Sequence, residues 1–238
     1  MKRGIIVSLL LVTAVMVFAQ KFNHGGGTFV ISGTGSYDDS LALSTFVRLL
    51  PDGANSTVLF IPTASSGLKL PNGYIYIPPR RDTTESYTRD FETELEKIFK
   101  VNRVKILHTR DRSVANSETF VRGIKNVNAV WISGGNAGRL ADAYLNTKTQ
   151  SELAKLIERG GVIGGNSAGA IILGSYIVRG WTEKPILMAK GHDKGFDFIK
   201  GVAFNPHLLT AKREYELMSV VHEYPELLGI GIDDYGLL

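Results

Sequence analysis

The sequence predicts an α/β fold: a three-layer, doubly wound, mostly parallel sheet with helices on both faces and a nucleophile elbow at a strand-helix turn. Three observations carry that expectation. Short β-branched runs alternate with longer stretches of helical spacing from residue 26 onward. The runs are apolar on consecutive residues, as strands buried on both faces are. Two of them end in glycine-rich turns, Ser133-Gly134-Gly135-Asn136 and Gly164-Gly165-Asn166-Ser167.

Taken in order, Thr28–Ser32 (TFVIS) reads as the first strand, and Asp39–Leu50 carries apolar residues at helical spacing. Thr57–Ile61 (TVLFI) is the second strand. Residues 66–84 form a long loop with Pro71, Pro78, Pro79, Arg80 and Arg81, a type often functional in compact domains but equally a plain surface excursion. Glu85–Lys100 is a helix with Phe91, Leu95, Ile98 and Phe99 on one face. Val104–His108 is the third strand, followed by helix from about Val114 to Ile124. Ala129–Ser133 is the fourth, with helical pattern from Gly138 to Arg159. Gly161–Gly165 is the fifth, with an apolar helix behind it. The stretch Gly174–Ala203 is less regular and has room for a small antiparallel excursion. Arg213–His222 is a helix and Gly229–Asp233 the closing strand.

The chain has 238 residues, 44% hydrophobic and 21% charged, which excludes a disordered chain and a coiled coil. Net charge is +4, with no Lys/Arg run longer than two, so a nucleic-acid partner is not expected. Cysteine is absent, which removes disulfides, thiolate metal sites and cysteine nucleophiles. Residues 1–19 open with Lys2-Arg3, continue through an apolar run from Ile5 to Val17 and end Val17-Phe18-Ala19. That pattern reads as a signal peptide cleaved near Ala19, and the run falls short of the roughly 20 residues a membrane anchor needs. The expected organisation is residues 1–19 as leader and 20–238 as one domain. The expected location is outside the cytoplasm, with no stable membrane anchor.

The segment Gly165-Asn166-Ser167-Ala168-Gly169 has the Gly-x-Ser-x-Gly form between a buried strand and an apolar helix. Glycines there let the backbone turn sharply and lift the serine hydroxyl above the sheet edge. A helix N-cap serine is the plainer alternative. With Ser167 as nucleophile, Ala168 N–H and Gly135 N–H are the candidate oxyanion donors. The turn Gly33-Thr34-Gly35 lacks a third glycine, because Asp38 takes its place, so a dinucleotide cofactor is not expected.

A serine needs a base, and histidine is the usual one. His24 and His222 fit surface or packing roles. Spacing leaves His108, His192 and His207 open, and for the acid it leaves Glu183, Asp193 and Asp197.

The residues resemble a family of serine peptidases that includes cyanophycinase and dipeptidase E. The likeness rests on Ile61-Pro62-Thr63-Ala64-Ser65, Gly134-Gly135-Asn136, Gly165-Asn166-Ser167-Ala168-Gly169-Ala170, Asn205-Pro206-His207-Leu208 and Gly229–Asp234 (GIGIDD), spread over nearly all of residues 25–235. It implies a fold like the class I glutamine amidotransferases, with serine in place of their cysteine. It implies Ser167 as nucleophile, His207 as base and Glu183 as acid, and catalysis without metal or other cofactor. Gly134, Asn136 and Arg213 become the expected substrate contacts. The implied substrate is an acidic peptide or cyanophycin, an aspartate–arginine polymer cleaved to β-Asp-Arg dipeptides; a homodimer is compatible with the sequence. Three departures bear on substrate grip: Ala137 stands where the family has Gln, Asn205 where it has Asp, and Ala211 and Glu216 where it has Arg. They leave two rivals, a dipeptidase or aminopeptidase for Asp-containing peptides and an inactive binding protein of the same fold.

Overall fold

The computed structural model describes residues 26–35, 37, 39–78, 86–178 and 193–238. Five parallel strands form the main sheet: β1 (Thr28–Ser32), β2 (Thr57–Ile61), β5 (Arg103–Ile106), β6 (Ala129–Ile132) and β7 (Val162–Asn166). Their spatial order is β1-β7-β6-β2-β5. Between β2 and β5 lie a two-residue-strand hairpin, β3 (Leu68–Lys69) and β4 (Ile75–Tyr76), and helix α2 (Ser86–Phe99). The first helix, α1 (Ser40–Arg48), follows β1 and is capped by Asp39, whose Oδ1 accepts from Ala42 N at 3.0 Å.

Strand pleating sends alternate residues to opposite faces, and both faces are apolar here. Val58, Phe60, Ala129 and Trp131 meet Phe46 of α1 and Phe91, Leu95 and Phe99 of α2. Leu59, Ile61, Val130 and Ile132 meet the other layer, formed by α4 (Glu118–Lys125), α5 (Ala137–Tyr144) and α6 (Lys148–Glu158). The three-layer, doubly wound expectation holds.

Two long helical stretches are each divided. The first splits into α3 (Arg112–Ala115) and α4, because Ser117 leaves the helix in extended conformation and caps α4 through Phe120 N at 3.3 Å. The second splits into α5 and α6 where Leu145 leaves the helix in extended conformation and Asn146 follows at φ 56°, while Thr147 Oγ1 donates back to Tyr144 O at 2.7 Å. Polar residues that bond their own backbone interrupt an otherwise continuous apolar period. The expected helix behind β7 is only one turn, α7 (Ala168–Ile171), because the chain runs straight on into strand β8 (Gly174–Ile177).

Residues 179–192, in the middle of the stretch expected to have room for an antiparallel excursion, lie outside the described residues. β8 pairs in parallel with β9 (Ile199–Pro206), and β9 pairs in parallel with β10 (Leu228–Ile232). Among the described residues, the antiparallel contact in this stretch is a single bridge between Tyr176 and Lys194. Helix α8 (Glu214–Glu223) joins β9 to β10. The last three residues then join the two sheets: Leu238 N donates to Ile31 O at 2.9 Å and Ile31 N to Leu238 O at 2.8 Å, along the outer edge of β1.

Phe46, wholly buried, sits edge-on to both Phe99 and Trp131. Phe46→Ala is expected to cost about 3–5 kcal/mol, read as a lower denaturation midpoint with an unchanged slope.

Candidate active site

Ser167 stands between β7 and α7 with φ 51° and ψ −114°, a conformation rare for a residue with a side chain and worth about 1–3 kcal/mol of strain. Its neighbours hold it there. Ser167 N donates to Ser32 O at 3.1 Å, and the Ser167 carbonyl accepts from Ala170 N at 2.9 Å and Ile171 N at 3.0 Å. The flanking glycines are required by space: a Cβ on Gly165 would lie 2.5 Å from Gly169 O, and one on Gly169 would lie 2.0 Å from Ile132 O. Asn166, buried at 1% exposure, ties the turn to two strands. Its Oδ1 accepts from the Trp131 indole at 3.0 Å, and its Nδ2 donates to Thr34 O at 3.1 Å.

His207 follows directly on β9, also at positive φ (58°). Its Nε2 lies 2.9 Å from Ser167 Oγ, and its Nδ1 lies 2.5 Å from Asp234 Oδ1. An ionised carboxylate only accepts, so Nδ1 carries the proton and Nε2 is left as acceptor for the serine hydroxyl. The side chains of His207 and Asp234 are 19% and 26% exposed, so water only partly screens their attraction. The parallel register of β9 and β10, with Pro206 opposite Ile232, delivers His207 and Asp234 side by side at the carboxyl ends of adjacent strands.

Asp233 holds the histidine's loop. Its Oδ1 accepts from Leu209 N at 3.0 Å and Thr210 N at 2.9 Å. Burial acts to raise its pKa, but hydrogen bonds from the Thr210 backbone and hydroxyl and from the Asp234 and Leu209 backbones outweigh it and hold the carboxyl below 3.8.

The hydroxyl opens on a cleft of about 510 Å³ lined by Tyr37, Ser65, Lys69, Gly134 and Gly135, among others. Gly134 abuts the serine: a Cβ there would come within 3.1 Å of Ser167 Cβ. Gly135 has φ 139°, and a Cβ would strike Ala64 O at 2.3 Å, so the turn needs glycine. Burial pushes the Tyr37 phenol well above its ordinary pKa, against a smaller lowering by the Ser133 hydroxyl. The cleft wall made by Gly67, β3, Leu70 and Pro71 belongs to the loop at 66–84, which thus has a place at the site; Pro79 and residues 80–84 lie outside the described residues.

The sequence candidates fare differently. Ser167 and His207 come together. Glu183 and His192 lie outside the described residues, and the Nδ1 position expected for Glu183 is taken by Asp234. His108 bonds Thr63 Oγ1 through Nδ1 at 2.9 Å. Asp197 accepts from the Ser175 hydroxyl. Asn136 caps α5, accepting from Gly138 N at 2.8 Å, and Arg213 donates through Nη1 to Pro206 O at 3.1 Å. Asn205 is fully buried, with Nδ2 on Arg213 O at 3.2 Å. Asp234 went unread although it stands in the GIGIDD segment. The available signal was a pair of carboxylates directly after an apolar strand, at the sheet end where ligands bind.

A hydroxyl at the carboxyl edge of a doubly wound sheet, in line with an imidazole and a carboxylate from strand ends of the neighbouring sheet, has the layout of a hydrolytic enzyme's site. The chain belongs to peptidase family S51, whose profile it matches over residues 28–238. It is 28% identical over 134 residues to cyanophycinase of Geminocystis herdmanii (strain PCC 6308), covering 55% of this chain and 49% of that protein. It is 29% identical over 136 residues to cyanophycinase of Nostoc sp. (strain PCC 7120 / SAG 25.82 / UTEX 2576), covering 56% and 45%. The matched region thus spans about half the length of these relatives or less. Among solved structures, a peptidase from an acI-B1 Actinobacterium superposes with TM-score 0.61 at 22% identity, covering 87% of this chain and 80% of the other. A putative peptidase E protein from Listeria monocytogenes EGD-e gives 0.55 at 19%, covering 87% and 90%. Both likenesses bear on the fold.

Asp233 yields a pH prediction. A carboxyl whose pKa is lower folded than unfolded stabilises the fold above the unfolded value, and that contribution is lost as pH falls through the folded one. Asp233→Asn is therefore expected to melt below the wild type at neutral pH. The gap should hold down to about pH 4 and close below it, as followed by thermal melts across a pH series.

Proposed function

We propose that this chain is an exported serine-type peptidase in which Ser167 attacks the scissile carbonyl. The observation that carries this reading is the 2.9 Å approach of Ser167 Oγ to His207 Nε2, with Asp234 on the other ring nitrogen. His207 takes the hydroxyl proton as Ser167 attacks. Asp234 holds the ring in the tautomer that leaves Nε2 free to accept, and it stabilises the imidazolium that forms. Gly135 N–H and Ala168 N–H receive the developing oxyanion, the first from the turn after β6 and the second as the first amide of α7. His207 then protonates the leaving amine, and water repeats the sequence on the acyl-enzyme.

The proposed substrate is an aspartate/arginine polymer of the cyanophycin type, cut to β-Asp-Arg dipeptides by exopeptidase action. The similarity to two cyanophycinases supports it. So does the leader read at residues 1–19, since an exported enzyme meets polymers too large for uptake. A second reading is an exported dipeptidase or aminopeptidase for Asp-containing peptides. One observation favours it: Asn136 and Arg213, the side chains expected to grip the polymer, are engaged by Gly138 N and Pro206 O.

Mass spectrometry of soluble products from purified cyanophycin decides between them. β-Asp-Arg released by the wild type and not by Ser167→Ala supports the first reading, and release only from short Asp-containing peptides supports the second. A fluorophosphonate probe should label Ser167 stoichiometrically; no labelling would point to a binding protein. Asp234→Asn is expected to lower kcat by about 10⁴-fold, as loss of the orienting carboxylate does in such triads. If Glu183→Gln takes the large loss instead, the acid lies there and not at Asp234. The secreted protein should begin at Gln20 by N-terminal sequencing.

A further inference from the structure

The β3–β4 hairpin brings to the cleft a charge that the proposed chemistry does not use. Leu68 and Leu70 are 6% and 1% exposed, so strand alternation turns Lys69 between them away from the core. Lys69 is exposed and lines the same cleft as Ser167. The hairpin that carries it is well anchored. Tyr76 stacks on Phe91 with ring centroids 3.9 Å apart, and Leu70 N donates to Tyr74 O at 2.8 Å. At its entry, Gly67 N donates to Ser65 Oγ at 3.0 Å and Ser65 Oγ to Gly67 O at 2.7 Å. The Arg110 guanidinium holds the Ser65 carbonyl at 2.5 Å. Lys69 therefore has a fixed backbone beneath a free side chain.

Of the described residues that line the cleft, Lys69 alone carries a formal charge. Among the described residues nothing pairs with its ammonium. Its neighbours on the wall are Leu68, Leu70 and Pro71, which offer no counter-charge. A lone cation in such a setting attracts an anion and repels a second cation.

We propose that Lys69 is a specificity-determining residue, receiving a carboxylate of the substrate whose scissile carbonyl lies on Ser167. The inference rests on the reading of Ser167 as nucleophile and adds the charge that the cleft selects. An Asp or Glu side chain and a free C-terminus share this chemistry, so the test carries both.

Binding is measured by NMR titration in the Ser167→Ala background, where nothing is turned over, for two ligand pairs. One is N-acetyl-aspartate amide against N-acetyl-asparagine amide; the other is N-acetyl-alanine against its amide. At low ionic strength the acid of at least one pair is expected to bind about fivefold tighter than its amide, less so in high salt. The preference should vanish in Lys69→Met and return in Lys69→Arg, with melting temperatures checking that each variant is folded. The pair that responds identifies the carboxylate as side-chain or terminal. A preference that survives Lys69→Met overturns the proposal, as does the absence of any preference, or of binding, with Lys69 present. Turnover by the Ser167 protein is scored separately. A Lys69-dependent preference without hydrolysis sinks the peptidase reading alone, and hydrolysis without that preference sinks this one alone.

Discussion

The backbone at Ser167 is turned into a conformation that a side-chain-bearing residue keeps only when its surroundings leave no other. Four contacts impose it: the amide on Ser32 O, the carbonyl inside α7, Gly165 against Gly169, and Gly169 against Ile132 O. Asn166 completes the clamp by reaching across to Trp131 on one side and Thr34 on the other. Trp131 is in turn fixed by Phe46 and Phe99, so the strain at one serine is borne by an aromatic cluster on the α1–α2 face of the sheet. The close fit of β7, β6 and α7 is what puts the hydroxyl above the sheet edge.

The partners of that hydroxyl come from a different sheet. His207 and Asp234 end two parallel strands of the β10-β9-β8 unit, and their mutual spacing is set by strand register. Their spacing to Ser167 depends on how the two sheets meet. The C-terminal residues along β1 provide one joint, and Gly236 N on Asp233 O tightens the turn that follows β10. Within the second sheet, Asp233 fixes the histidine's loop by gripping the Leu209 and Thr210 amides. Adjacent carboxylates thus have separate duties, one fastening the loop and one facing the imidazole.

Much of this was legible in the sequence wherever one local rule dominated. Thr28–Ser32 and Thr57–Ile61 have the bounds read from their apolar runs, because a buried parallel strand announces itself residue by residue. The elbow was legible because its Gly-x-Ser-x-Gly pattern is contained in residues 165–169, between a buried strand and an apolar stretch. The divisions at Ser117 and Asn146 were not, since a single polar cap is outweighed by the apolar period on either side. Asp234 stands 67 residues after Ser167 in the chain, and its local signal, a carboxylate pair after an apolar strand, does not reveal the β9–β10 register that sets it beside His207. Asn136 and Arg213 illustrate the converse: residue type suggested a ligand contact, while helix capping and a nearby carbonyl claim their polar atoms.

Chemistry and selectivity occupy different parts of the scaffold. The serine, histidine and aspartate all stand at strand ends, where the sheet leaves little freedom. The cleft wall that faces solvent is a short hairpin inserted between β2 and α2, attached by Leu70 and Tyr76 yet contributing no strand to the main sheet. Such an insertion can change its outward side chains, Lys69 among them, without disturbing the register that holds the triad. Positions that fix Ser167 answer to backbone geometry, whereas an outward side chain of the hairpin such as Lys69 is free to answer to the ligand that enters the cleft.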